Sequence, residues 1–153
     1  MVTKLVEMGR MGQKTGAGIY KYEGRKAVPD PDVAALAKAE AKAAGVPQID
    51  VSDEEIIERL LFSMINEGAL ILEEGIAIRP SDIDVVFVHG YGMPRYRGGP
   101  MHYGDEVGLD KVAAAMEKYR ARYGDLWWTP APLLAELAGS RKSFAEWAAV
   151  REA

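Results

Sequence analysis

Two histidines and a pair of arginines are the residues of this chain best able to do chemistry. His89 and His102 are the only histidines, and a metal site or a catalytic pair would need a partner side chain at a useful spacing. His89 comes at a predicted helix end, where a cationic side chain is favoured. His102 lies near Asp105, but the spacing offers no third ligand. We therefore assign structural roles to both histidines and predict no catalytic residue and no metal ligand.

Arg95 and Arg97 lie in a glycine-rich loop just before Pro100, which can begin a helix. Positive side chains and free amides at a helix start could bind an anion there. The alternative is that both arginines lock the loop, by bonding backbone carbonyls or nearby carboxylates (Glu73, Asp82 or Asp84). We favour loop locking and keep anion binding open.

The segment Gly9–Thr15 invites comparison with a phosphate-binding loop. Such a loop needs a glycine directly before its lysine, whereas Gln13 precedes Lys14 here and the spacing is too short. The later Gly16–Gly18 segment lacks the third glycine of a dinucleotide fingerprint. The sequence thus predicts no cofactor-binding residue in this chain.

The longest predicted element is a helix over about Asp53–Glu74. Ser52 is its predicted N-cap, in a capping box with Glu55, and Gly75 is the residue that ends it. At 100° per residue, a helical wheel of this segment places one broad apolar set on half of the helix: Ile56, Ile57, Leu60, Leu61, Met64, Ile65, Gly68, Ile71 and Leu72. So wide a stripe predicts burial against more than one neighbouring helix. Glu67, at the edge of that half, is expected to accept hydrogen bonds from loop amides.

Shorter helices are predicted on both sides of the long one. Pro31 begins one after Asp30, and Ser81, with Asp84 three residues later, is expected to cap another across a β-branched run. Further starts are assigned to four residues, Pro100, Asp110, Pro132 and Ser143, and Gly139 is expected to end the helix that Pro132 begins. Strands do not alternate with these helices, so we predict an all-α fold rather than a nucleotide-binding sheet.

The predicted organisation is a glycine-rich extended arm over residues 1–28, followed by a compact bundle of about six helices over residues 29–153. Lengths of this order suit one modest domain.

Composition excludes several functions. The chain has 153 residues, a net charge of -4 and no cysteine, so a basic nucleic-acid surface, a disulfide framework and a thiolate metal site are not expected. No apolar run reaches the roughly 18 residues of a membrane span. Neither a secretory signal nor a peroxisomal C-terminal tripeptide is visible, and the expected location is cytoplasmic.

Two stretches resemble a known family. The first is the Gly9–Tyr22 segment, which is similar to the stretch that closes the first helical repeat of the 3-hydroxyacyl-CoA dehydrogenase part of multifunctional fatty acid β-oxidation enzymes. The second resembles the second, C-terminal helical repeat of the same family and runs through Glu58-Arg59-Leu60-Leu61, Asn66-Glu67-Gly68-Ala69, Arg79-Pro80-Ser81-Asp82-Ile83-Asp84 and Arg97-Gly98-Gly99-Pro100. Both occur in the family's order and together cover about Gly9 to Ala138.

This resemblance implies a fold like the C-terminal domain of 6-phosphogluconate dehydrogenase. It also implies a parent enzyme, such as the α subunit of a fatty acid oxidation complex, that joins NAD-dependent 3-hydroxyacyl-CoA dehydrogenase and enoyl-CoA hydratase (lyase) activities. The family's catalytic His–Glu pair belongs to a nucleotide-binding domain outside this chain. Its further active-site asparagine aligns with Glu58, a carboxylate that cannot donate when ionised.

The implied function is therefore non-catalytic. The domain would pack against the first helical repeat and the nucleotide-binding domain, support the acyl-CoA site and leave NAD to the parent; a homo-oligomer is also possible. In this setting a CoA phosphate is the candidate anion for Arg95 and Arg97. Two alternatives stay open: a free-standing helical module that binds acyl-CoA or a protein, and, least favoured, an autonomous enzyme using His89 or His102.

Overall fold

The computed structural model describes residues 1–47 and 49–151, which form two compact units, Met1–Asp50 and Val51–Ala153. The sequence-based boundary between residues 28 and 29 differs from this division. The helix that Pro31 begins belongs to the first unit, whereas the sequence analysis assigned it to the bundle.

The first unit is a helix, a hairpin and a second helix. The order is α1 (Val2–Glu7), a short 3-10 turn (Gln13–Thr15), strands β1 (Tyr20–Glu23) and β2 (Lys26–Pro29), and α2 (Pro31–Ala43). The strands pair antiparallel, with Tyr20 opposite Pro29 and Glu23 opposite Lys26. Residues 1–28 were predicted to be an extended arm, but they contain the helix α1, which the sequence did not predict.

Asp30 ties this unit together. Its side chain is fully buried and accepts a hydrogen bond from the Asp32 amide at 3.1 Å, which makes it the N-cap of α2. Arg10 Nη2 lies 2.5 Å and Lys21 Nζ 3.2 Å from the same carboxylate. One carboxylate therefore joins the loop after α1, the hairpin and α2.

The described residues of the second unit form a bundle of six α-helices, whereas the predicted bundle of about six also included the helix that Pro31 begins. The six helices are α3 (Asp53–Glu73), α4 (Pro80–Gly90), α5 (Pro100–Val107), α6 (Leu109–Tyr123), α7 (Pro132–Ser140) and α8 (Phe144–Arg151), with a 3-10 turn at Arg95–Arg97. Helix α3 packs against α4, α5, α6 and α7. The fully buried side chains include Ile65, Met101, Val112, Met116, Tyr119, Leu134, Leu137 and Phe144.

Both predicted ends of α3 are confirmed. The Glu55 amide donates to Ser52 Oγ at 3.1 Å. The Glu55 side chain does not complete the box but points to Arg59 and Arg122, at 3.7 and 3.6 Å. At the other end Gly75 has a φ of 71°. Its amide donates to the carbonyl of Leu72 and the next amide to that of Ile71, which is a Schellman turn.

The buried face of α3 is rotated relative to the prediction. Ile56, Ile57 and Leu60 are 45%, 47% and 62% exposed, although the wheel placed them in the core. The bundle instead covers a face that includes Phe62, which was not in the predicted stripe, and a polar residue, Asn66. Apolar residues surround more than half of α3, so periodicity alone does not select the half that the other helices cover.

Three predicted helix boundaries were wrong. Arg79 is the N-cap of α4 and its backbone amide donates to Asp82 at 3.1 Å, so Ser81 lies inside the first turn rather than at the cap. Gly108 precedes α6, which places Asp110 at the second helical position. Helix α7 continues through Gly139 to Ser140, and Arg141, which has a φ of 54°, is its C-cap. The predicted starts at Pro100 and Ser143 are confirmed, and so is a helix across the β-branched run of α4.

Candidate functional site at the junction of helices α4 and α5

Asp84 connects two helices instead of capping its own. Its carboxylate accepts hydrogen bonds from the amides of Met101 at 2.7 Å and His102 at 3.1 Å, the second and third residues of α5. The sequence analysis gave Asp84 the third position after a Ser81 cap, and the structure corrects this role. A carboxylate at a helix N-terminus satisfies free amides and complements the helix dipole. Asp84 therefore fixes where α5 begins.

Two glycines make that approach possible. A Cβ on Gly99, whose φ is 112°, would lie 2.3 Å from Asp84 Oδ1 and 2.5 Å from its Cα. A Cβ on Gly98, whose φ is 73°, would lie 2.2 Å from Cδ2 of His102. Glycines are favoured at positions 98 and 99 because the loop passes close to Asp84 and His102 there. Helix α5 then starts at the buried Pro100.

The two loop arginines have different surroundings. Arg97 lies over the rings of Tyr96 and Tyr103, with its Cζ 5.3 and 5.2 Å from their centroids, a cation–π arrangement. Within the described residues, the guanidinium of Arg95 has no hydrogen bond, ion pair or ring contact. Loop locking as a role for Arg97 is supported by the rings and not by the predicted carboxylates; Arg95 has no such role in the structure.

Arg95 faces a cavity of about 480 Å³ beside α4. Both histidines of the chain line it, together with the Ser81 hydroxyl and an apolar wall formed by Val85 and Val88. His102 Nε2 also lies 3.6 Å from Glu106, one turn further along α5. The sequence analysis singled out Arg95, His89 and His102 separately; the structure brings them to one cavity.

A second aspartate holds the start of helix α8 in the same way as Asp84 holds α5. Asp105 of α5 accepts from the amides of Phe144 at 2.8 Å and Ala145 at 3.1 Å, the first two residues of α8. Ser143 and Glu146 complete that terminus as a capping box, with bonds of 3.0 and 2.8 Å. Burial raises the pKa of both the Asp84 and the Asp105 carboxyl, partly opposed by the amides.

Asn66, not Glu67, anchors the loop before α7. Its side chain is buried, donates to the Thr129 carbonyl at 3.0 Å and accepts from the Ala131 amide at 2.7 Å. Glu67 is exposed, so its predicted bonds to loop amides are wrong. The sequence signal was the Asn-Glu pair, and the rotation of α3 decided which residue points inward.

Glu58 takes part in packing. It accepts a hydrogen bond from the Tyr119 hydroxyl and lies 3.6 Å from Lys118 Nζ. Burial and the neighbouring carboxylate raise the pKa of Tyr119. A cavity of about 680 Å³ runs beside Glu58, walled by Ile57, Phe62, Tyr103 and Val107.

The described residues contain no cluster of three or more potential metal ligands, and no helix among them is long and apolar enough to cross a membrane. At the α4–α5 junction Asp84 bonds two backbone amides and so positions α5. Arg95, His89 and His102 line the neighbouring cavity, where they could face a ligand.

Comparisons with known proteins give the family. The family model described as 3-hydroxyacyl-CoA dehydrogenase, C-terminal domain, matches residues 56–144. The human peroxisomal bifunctional enzyme is 46% identical over 125 residues, which cover 80% of this chain and 17% of that protein. The fatty acid oxidation complex subunit alpha of Shewanella sp. (strain MR-4) is 34% identical over 141 residues, covering 92% and 20%.

A solved structure agrees with this result. The dehydrogenase part of multifunctional enzyme 1 from C. elegans is 30% identical with a TM-score of 0.62, and the match covers 88% of this chain and 31% of that one. The chain spans about a fifth of the length of the curated relatives it matches. With the family model matching residues 56–144, these relatives show that the chain belongs to the 3-hydroxyacyl-CoA dehydrogenase C-terminal domain family, as found in multifunctional fatty acid β-oxidation enzymes.

Proposed function

We propose that this chain acts as a non-catalytic C-terminal domain. It would pack against the first helical repeat of a multifunctional β-oxidation enzyme and support that enzyme's acyl-CoA site. Hydride transfer to NAD and the enoyl-CoA hydratase step would belong to other domains of the parent. The observation that carries the proposal is the exposed apolar face of α3 at Ile56, Ile57 and Leu60, in the same turns as a Glu58 held by Tyr119.

The α3 face supports a docking role on physical grounds. Three large aliphatic side chains within two turns remain exposed although the rest of the helix is well packed. Contiguous exposed apolar surface marks interaction sites in proteins. The partner of matching chemistry would be an apolar surface of a neighbouring helical repeat.

Glu58 supports the non-catalytic part. An asparagine at this position could donate and accept, whereas an ionised carboxylate only accepts. Glu58 accepts from the Tyr119 hydroxyl and lies near Lys118 Nζ, so it cannot donate a hydrogen bond to a substrate oxygen as an asparagine would.

The test has an activity arm and a binding arm. In the first, NADH formation is followed with a short 3-hydroxyacyl-CoA; we expect no turnover by this chain alone. Turnover that is abolished by His89→Gln or His102→Gln would instead support the autonomous enzyme.

In the second arm, a fragment carrying the parent's nucleotide-binding domain and first helical repeat is titrated with this chain. We expect binding, weakened at least tenfold by Leu60→Glu and unchanged by Leu126→Glu, a change at an exposed leucine in the turn after α6 rather than on α3. Failure to bind the fragment, together with tight binding of acyl-CoA by the chain alone, would favour the free-standing module.

The cellular location stays part of the proposal. Relatives of this chain include proteins named peroxisomal and bacterial fatty acid oxidation subunits. A cytoplasmic location is what the sequence predicts, and fractionation of the source cells with an antibody to this domain would test it.

A further inference from the structure

We propose that the cavity between α4 and the Arg95–Arg97 turn binds the carboxylate of a short aliphatic acid. The site consists of Arg95 as the charged ligand, His89 and His102 as flanking hydrogen-bond groups, and Val85 and Val88 as the wall for the aliphatic chain. It is independent of the α3 docking face and of any catalytic role.

Arg95 provides the cationic group of the proposed site. Its guanidinium has no partner within the described residues, while the other loop arginine, Arg97, is engaged by two aromatic rings. A guanidinium offers two parallel N–H donors that match the two oxygens of a carboxylate. An arginine that faces a cavity without a protein partner therefore has its donors available to a ligand.

His102 lies against the glycine loop at the edge of the same cavity. The ring lies close to the loop: a Cβ at position 98, where φ is 73°, would be 2.2 Å from Cδ2, so a side chain there would require the ring to shift. The backbone of Gly98 and the ring of His102 both line the cavity, with His89 on the facing helix. Loop and ring thus pack closely, which holds the imidazole beside the cavity.

Charge selects a carboxylate over a phosphate. Among the described residues that line the cavity, Arg95 is the one permanently charged cation, and Asp84, which also lines it, already accepts from two amides of α5. Glu106 adds a second acidic side chain 3.6 Å from His102. One negative charge is neutralised by Arg95, whereas a dianionic phosphate would leave an excess negative charge beside the Asp84 carboxylate.

The apolar wall selects an acid with a chain. Val85 is 58% exposed and Val88 lines the same side of α4, so they offer aliphatic surface next to the cationic end. A volume of about 480 Å³ lies within the range of small-molecule pockets. The geometry fits a carboxylate against Arg95 with a short hydrocarbon tail along α4.

The chain itself supplies a site-specific reporter. It contains two histidines and both line this cavity, so the imidazole C–H signals in a proton NMR spectrum of the full chain report on this site alone. Sodium hexanoate is titrated at fixed pH and constant ionic strength. We expect both signals to shift saturably, with millimolar affinity, and to shift much less with acetate or with hexanol.

Variants connect the shift to the proposed residues. Arg95→Gln should weaken hexanoate binding about tenfold, the loss of roughly one charge-assisted hydrogen bond. The matched Arg97→Gln should bind as the unmodified chain does. Val85→Glu, at an exposed helical position, should abolish binding by placing a negative charge on the wall, and it serves as a second test should Arg95→Gln fail to fold.

Three results would overturn the proposal. They are the absence of a saturable shift at tens of millimolar hexanoate, an equal loss of binding in Arg95→Gln and Arg97→Gln, and tighter binding of inorganic phosphate or CoA than of hexanoate. The last result would make the cavity a phosphate site instead.

Discussion

Asn66 and Glu67 are neighbours in the chain with opposite surroundings. Asn66 is buried and bonds the backbone on both sides of Pro130, and Glu67 is exposed. An amide can donate to a carbonyl and accept from an N–H at once, whereas an ionised carboxylate only accepts. The chemistry of the loop therefore requires an amide at the buried position.

Replacing Asn66 tests this directly. Asn66→Leu should lower the free energy of unfolding by about 1–3 kcal/mol or more, because a buried amide and a carbonyl lose their partner. Glu67→Leu, one residue away, should change it by less than about 0.5 kcal/mol. Urea denaturation followed by tryptophan fluorescence measures both, since Trp128 lies in the anchored loop. Equal effects would show that the loop does not depend on the Asn66 bonds.

Gly99 is the residue whose substitution has the clearest steric consequence. Gly99→Ala should destabilise the second unit by about 1–3 kcal/mol, because a side chain is strained at its φ and its Cβ would overlap Asp84. Gly139→Ala is the control, since it lies inside α7 with open space around it; it should stabilise by about 0.4–1 kcal/mol. Thermal unfolding of both variants gives the comparison, and a stable Gly99→Ala would mean that the loop can move away from Asp84.

At the scale of elements, carboxylates from one element fix the start of another. Asp84 of α4 holds α5, and Asp105 of α5 holds α8. In the first unit Asp30 both caps α2 and binds Arg10 from the preceding loop. In each unit, carboxylates at helix N-termini thus help to fix where helices begin, in addition to apolar packing.

The Asp30 cluster predicts acid sensitivity. Burial alone would raise the pKa of Asp30, but hydrogen bonds from Arg10, the Asp32 amide and Lys21 together hold it below its ordinary value of 3.8. The unfolded chain therefore binds a proton at higher pH than the folded one. The stabilisation is complete above pH 3.8 and is lost as the pH falls through the lower, folded value.

The measurement uses a variant without the Arg10 charge. Arg10→Gln should destabilise the first unit near neutral pH, and the difference from the unmodified chain should shrink in strong acid. Amide signals of α2, followed by NMR during urea unfolding at several pH values, report that unit. A difference independent of pH would show that Arg10 acts through its bond to the Gly18 carbonyl instead.

At the scale of the whole molecule, several large apolar side chains are exposed, and packing within the chain does not explain their exposure. Besides the α3 face, Leu126 and Trp127 are 82% and 73% exposed, next to the buried Trp128. Exposed apolar surface of this kind marks interaction sites in proteins, and this chain spans about a fifth of the length of its relatives.

Self-association of the free chain is the corresponding prediction. Sedimentation over a concentration series should show a species heavier than the monomer, because α3 can pack against a second copy when its proposed partner is missing. Leu60→Glu should restore the monomer, while Leu126→Glu should not. A monomer at all concentrations, with no affinity for an added first-repeat fragment, would remove the basis for the docking role.

Local chemistry in the sequence determined the ends of α3 and the starts of α5 and α8. Ser52 and Gly75 act within one turn of the chain, so their effects need no information about distant residues. The motifs also determined the family, since they were specific in composition and order.

Only the tertiary structure decided which face of α3 is buried, that Asn66 and not Glu67 points inward, and that Asp84 caps α5 instead of its own helix. The roles of Asp84 and Asn66 depend on groups far apart in the chain, as the Asp84–Met101 and Asn66–Ala131 bonds show with separations of 17 and 65 positions. An amphipathic pattern fixes the period of a helix but not its rotation when apolar residues surround most of it. Packing of the other helices against α3 set that rotation, and with it the surface that remains for a partner.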